Sequence, residues 1–190
     1  MRLFVAVETG PTVARAAATL VDGLRRRAAS LAPRSKVTWI PPERLHLTIR
    51  FIGNVDEERR HALEAALQPV LDVPSFALAI AGIGTFPRSG HPRVIWAGVA
   101  KGQERLDEIA REVTTRLERV GVPAEDRAFG PHLTLARVRD AAGLRSEPLI
   151  EPDRAAELGA TRVEAITLFE SRLSPKGPTY VALQHTPLRS

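Results

Sequence analysis

Leu45-His46-Leu47-Thr48-Ile49-Arg50-Phe51-Ile52 decides the reading of this chain, because its centre returns as His132-Leu133-Thr134-Leu135. In a β-strand, residues two apart share a face. Each histidine and its threonine therefore point one way, while Leu47, Ile49, Leu133 and Leu135 point the other way, into a core. With 5 histidines, a His-apolar-Thr-apolar pattern is expected by chance roughly 0.07 times, and twice on the order of once in 500 such chains.

Working outward, the two motifs sit in similar surroundings. Arg2 to Glu8 reads as a short apolar strand, and 11–31 as a helix with Val13, Ala17, Leu20, Leu24, Ala28 and Leu31 at three- and four-residue steps. Pro41-Pro42 then breaks the chain before the strand at 45–52. Asp56 is placed to cap a helix reaching about Leu71. Strands at 76–83 and 93–99 flank a glycine/proline loop, and a helix over 103–120 shows Leu106, Ile109, Ala110, Val113 and Leu117 on one face. The second motif strand spans 132–138. A weak helix at 153–158 leads to strands at 162–173 and 179–183. Strand, long helix and loop thus precede each histidine, which is the outline of an internal duplication. One strand, 93–99, has to close the first unit and open the second. The pattern gives an α+β fold of two duplicated lobes, with antiparallel sheets lining a central cleft and helices outside.

Composition bounds the function. A chain of 190 residues with 44% hydrophobic and 26% charged residues suits one globular domain. No apolar stretch approaches the ~20 residues of a membrane span, so a cytoplasmic location with no membrane partner is expected. The absence of cysteine removes disulfides, thiolate nucleophiles and cysteine-held zinc. The net charge is +5, carried mainly by arginine. A polyanionic partner and a coding bias towards arginine account for this equally well.

Two histidines suit phosphodiester chemistry. Near neutral pH one imidazole can be protonated while the other is neutral. One removes a proton from the attacking oxygen and the other protonates the leaving oxygen. The hydroxyls of Thr48 and Thr134 donate to non-bridging phosphate oxygens as charge builds there. No metal or cofactor is needed. There is no GxxxxGK[ST] loop and no HExxH spacing, which leaves zinc on two histidines and a carboxylate as the residual metal reading.

These residues resemble the 2H phosphoesterase superfamily, and within it the RNA 2′,3′-cyclic phosphodiesterases, also called 2′-5′ RNA ligases. The likeness extends over 1–7, 45–53, Phe86-Pro87 with 92–99, 129–137, and 171–180 with its Pro175-Lys176. It implies a two-lobed single domain with a cleft between the motifs. It also implies hydrolysis of a terminal 2′,3′-cyclic phosphate to a 2′-phosphate, and reversible ATP-independent 2′-5′ joining of RNA ends. By the same likeness His46 is the proton donor, His132 the acceptor, and Arg137 a phosphate contact. The symmetry of the two motifs by itself does not distinguish donor from acceptor. The implied partner is RNA with a cyclic phosphate end, including tRNA fragments, and a monomer is expected because one chain completes the cleft.

Other residues carry two readings each. A regular strand puts Arg50, usually lysine in the family, on the His46 face, against phosphate or solvent. Arg137 falls on the wrong face of an ideal strand, so its role requires a bulge or twist. Phe129 either stacks on a base or packs in the core. Arg88, His91 and Arg93 sit in a loop that guides RNA or is merely solvated; His61 and His185 read as structural or exposed. Two other functions stay open: a non-catalytic module that binds RNA ends, and a cyclic phosphodiesterase for small nucleotides.

Overall fold

A computed structural model describes residues 1–190 except Arg127, Pro175 and Lys176; the Pro175-Lys176 part of the resemblance lies outside the described residues. Ten strands and four α-helices follow one another as β1 (Arg2–Glu8), α1 (Gly10–Leu31), β2 (Lys36–Trp39), β3 (His46–Asn54), α2 (Glu57–Leu67), β4 (Leu71–Pro74), β5 (Phe76–Phe86), β6 (Val94–Lys101), α3 (Gln103–Glu118), β7 (Leu133–Asp140), α4 (Ser146–Ile150), β8 (Glu157–Val163), β9 (Ala165–Arg172) and β10 (Thr179–Arg189). The long helices form where the apolar periodicity predicts them. In α1 it buries Val13, Ala17, Leu24 and Ala28 as expected, with Val21 in place of the partly buried Leu20 and with Leu31 exposed at the helix end; in α3 it buries Leu106, Ile109, Ala110, Val113 and Leu117. The Asp56 carboxylate accepts the Arg59 N–H at 2.8 Å and caps α2.

Several elements differ from expectation. Two short strands, β2 and β4, lie where the pattern predicts none. Helix α2 ends at Leu67, short of the expected Leu71. Residues 153–158, expected as a weak helix, instead finish a 3₁₀ turn (Glu151–Asp153) and begin β8, which pairs with β5. The expected strand over 162–173 is divided between β8 and β9. Backbone pairing outweighs the helix propensity of the alanine- and glutamate-rich segment there.

The sheet runs β4-β10-β9-β1-β3-β7-β6-β5-β8, with β2 added beside β7. Strands β3 and β7 meet through a single residue pair, Leu47 and Leu133. On one side of this seam stand β1, β3, β9 and β10; on the other stand β6, β7, β5 and β8. The spatial halves are therefore not the sequence halves. The hairpin β9–β10, from the end of the chain, completes the half-sheet of β1 and β3. Strand β5, from the first half of the chain, completes that of β6 and β7. The long helices cross over likewise: α1 packs on β8, and α3 on β3 and β4. Residues 94–101 form one strand, β6, which pairs with β5 and β7 and so stands in one half-sheet only.

Candidate active site

The seam sets the geometry. Continuing the Leu47–Leu133 register by one residue each way puts His46 opposite Thr134 and Thr48 opposite His132. The two leucines are fully buried, so the four polar side chains lie on the other face and frame one backbone pair.

Each strand then bulges at the same place. Ala6 and Val5 of β1 face Thr48 and Arg50, leaving Ile49 as the extra residue in β3. Trp96 and Ile95 of β6 face Thr134 and Ala136, leaving Leu135 as the extra residue in β7. A bulge shifts every later side chain to the other face. Both motifs consequently show the same alternation from the histidine: half-buried, buried, half-buried, buried, buried, exposed. The sixth positions, Phe51 and Arg137, both return to the cleft.

Two adjoining cavities fill the cleft. One of about 430 Å³ holds His46, Arg2, Arg44 and Tyr180. The other, about 570 Å³, holds His132, Phe129, Glu125 and Asp126. Thr48, Thr134, Phe51 and Arg137 line both. The histidines thus flank a shared centre furnished by two threonines and an arginine. Arg137 lines both cavities because β7 bulges after Thr134. Phe129 packs against the core, as one of its two readings expects, and also lines the cavity.

Arg50 is not brought into the cleft. The bulge turns it under β3, where it is 4% exposed. Its guanidinium donates to the Pro123 carbonyl and lies 3.8 Å from the Glu125 carboxylate. It lines a separate cavity behind the strand, with Asp107 and Arg111 of α3. The reading that put Arg50 on the His46 face needs a regular strand, which β3 is not.

Both imidazoles are held alike. Nδ1 of His46 lies 2.8 Å from the Arg44 carbonyl, and Nδ1 of His132 lies 2.8 Å from the Gly130 carbonyl. A carbonyl only accepts, so each Nδ1 carries the hydrogen and each Nε2 is left to exchange protons. His46 is walled by Phe4 at 4.9 Å and Tyr180, edge-on, at 5.1 Å. His132 meets the edge of Phe86 at 5.3 Å, and Phe86 leans on Trp96. That indole covers Gly84 so closely that no Cβ would fit. Burial pushes the His46 pKa below its usual value of 6.5, and the nearby Arg137 charge adds to this. The Arg44 carbonyl and Glu8 oppose the shift without cancelling it.

The sequence reading left Arg2, Phe4, Arg44, Phe51 and Tyr180 out of the site. Phe51 needs knowledge of the bulge, and the others need the strand order. Arg88, His91 and Arg93 flank the β5–β6 turn and line neither cleft cavity. His61 is exposed on α2 beside Glu57 and Glu64, and His185 is hydrogen-bonded to Thr167 at 2.9 Å.

Among known proteins, the family model of the 2′-5′ RNA ligase superfamily matches residues 11–174. The chain belongs to that superfamily. Its relatives include an RNA 2′,3′-cyclic phosphodiesterase of Archaeoglobus fulgidus, 33% identical over 97% of this chain and 98% of the relative. One from Thermus thermophilus with the same name is 37% identical over 86% of this chain and 84% of its own length. Two solved members of the fold cover 100% of this chain, with 98% of their own chains matched. TT0787 of Thermus thermophilus superposes with a TM-score of 0.70 at 30% identity. Escherichia coli LigT complexed with 3′-AMP superposes with a TM-score of 0.72 at 25% identity.

Proposed function

We propose that this protein hydrolyses the 2′,3′-cyclic phosphate at an RNA end to a 2′-phosphate by metal-free acid/base catalysis. The observation that carries the reading is the pair of imidazoles, each fixed by Nδ1 to the carbonyl two residues upstream, on either side of one cavity. A phosphate clamp would need cations but no such fixed tautomers, which disfavours the non-catalytic module.

The cyclic phosphate sits between Thr48, Thr134 and Arg137, with the two hydroxyls and the guanidinium on its non-bridging oxygens. His132 Nε2 takes a proton from the attacking water as its oxygen bonds to phosphorus. The bond from phosphorus to O3′ breaks, and His46 Nε2 supplies the proton to O3′. In the free site His46 is held towards its neutral form. A bound phosphodiester anion offsets the Arg137 charge and draws the proton onto His46. With the 5′-hydroxyl of a second RNA end in place of water, the same steps join the ends through a 2′-5′ linkage: O5′ gives its proton to His132 and bonds to phosphorus, the bond from phosphorus to O3′ breaks, and His46 protonates O3′. Among the described residues no three His, Cys, Asp or Glu side chains gather as a metal site.

The chain is one domain of two pseudo-symmetric lobes, acting as a monomer in the cytoplasm on RNA ends that include tRNA fragments. Support comes from the matching bulges, from half-sheets that each draw strands from both halves of the chain, and from a centre built by one chain. The names of the relatives support the RNA substrate.

His46→Ala and His132→Ala should each lower turnover of a 2′,3′-cyclic phosphate by roughly 10²–10⁴-fold, with EDTA leaving the parent enzyme active. Activity lost in EDTA and restored by a metal would overturn the mechanism.

A further inference from the structure

We propose that the RNA strand 5′ of the cyclic phosphate leaves the reaction centre on the His46 side and lies in a groove that crosses Arg44 and Arg2 towards the first residue. This rests on the phosphodiesterase reading and adds a direction to it.

Charge is divided unevenly along the cleft. The cavity around His46 is lined by three guanidinium groups, Arg2, Arg44 and Arg137, and among its described lining residues there is no carboxylate. The cavity around His132 has Glu125 and Asp126, with Arg137 as its one described cation. Among the described residues none of Arg2, Arg44 and Arg137 has a carboxylate within 4.0 Å. By contrast Arg172, next to the cavity-lining Ser171, pairs with Glu170. Arginines left without a protein anion keep their forked donors for phosphate. A polyanion leaving on the other side meets Asp126 and a Glu125 whose charge Arg50 partly offsets; one leaving past Arg44 and Arg2 meets attraction.

The space continues in the same direction. A further cavity of about 530 Å³, lined by Met1, Arg2, Gly53, Asn54, Ser171 and Leu173, shares Arg2, Ser171 and Leu173 with the His46 cavity. Along β1, Glu8 faces His46 and Arg2 faces Asn54. These six residue steps of strand span roughly 20 Å, room for several nucleotides. Apolar surface lies beside this path where the core makes no use of it. Phe51 is 52% exposed and Leu173 75% exposed, and each offers a face to a base. The groove therefore selects strands over mononucleotides, and it sets the terminal ribose on the side of His46.

The test compares a 2′,3′-cyclic mononucleotide with a hexanucleotide bearing the same end, measuring kcat/KM for both and hexanucleotide binding by fluorescence anisotropy at several salt concentrations. The parent protein should prefer the hexanucleotide. Arg2→Ala should lower that preference roughly three- to tenfold and flatten the slope of log Kd against log salt by about 0.7. Arg26→Ala removes the same charge from an exposed position on α1 and should change neither quantity. An Arg2→Ala protein with unaltered preference and salt slope would overturn the groove. Absence of turnover on both substrates would count against the phosphodiesterase reading alone, with the anisotropy series still deciding the groove.

Discussion

Phe51 and Arg137 occupy the same place in the two halves of the cleft, five residues beyond His46 and His132, and each is turned into it by a one-residue bulge. The backbone treats them as equivalents, but their chemistry differs. One offers an aromatic face and the other a planar cation. Under the proposed mechanism the centre is symmetric in the groups that move protons and asymmetric in those that hold the substrate.

Arg137 is coupled to His46 across the seam. Its positive charge disfavours a protonated imidazole, so its removal must raise the His46 pKa towards 6.5. Arg137→Ala should show this upward move when His46 is titrated by NMR, together with a kcat/KM lower by roughly ten- to a hundredfold from the lost phosphate contact. An unmoved or lowered His46 pKa would contradict the coupling.

Phe51→Ala tests the other sixth position. Base stacking contributes about 1–3 kcal/mol, so KM for a cyclic-ended oligonucleotide should rise roughly five- to a hundredfold while the melting temperature barely changes. A matching rise with a cyclic phosphate that lacks a base would point to a role other than stacking.

Arg50 acts as a latch from beneath the strand. It ties β3, which carries the first motif, to the Pro123–Glu125 segment, which leads to Phe129 and His132. Arg50→Ala should cost about 1–3 kcal/mol of stability and speed amide exchange over residues 121–126. Arg50→Lys should fall between, since an ammonium does not reproduce the forked geometry. Unfolding of Arg50→Ala at the parent midpoint would refute the latch.

The contrast between Arg50 and the histidines shows what a sequence pattern can and cannot carry. The faces of His46, Thr48, His132 and Thr134 follow from strand period alone, because they precede the bulges. Beyond Ile49 and Leu135 the period slips by one, and nothing in either motif announces the slip. Arg50 and Phe51 exchange faces as a result, and Arg137 comes to line the cleft. The amphipathic helices α1 and α3 were legible because five buried residues repeat in each. Their crossing to the opposite half-sheet was not, since it depends on contacts between distant segments. Strand β8 was hidden for the same reason: it exists because β5 offers it an edge.

The exchange of strands and helices between the half-sheets bears on how such a chain can be divided. Residues 1–92 hold β1 and β3 without the hairpin that flanks them, and residues 93–190 hold β6 and β7 without β5. Each piece would expose open strand edges and an unpartnered helix, a poor basis for independent folding. Two such pieces mixed together supply what the other lacks. Separately expressed segments 1–92 and 93–190 should be unfolded alone and regain circular dichroism and cyclic phosphate hydrolysis only when combined. If the halves descend from one ancestral unit, that unit would have worked as a pair of intertwined copies, with its single histidine made useful by the histidine of its twin.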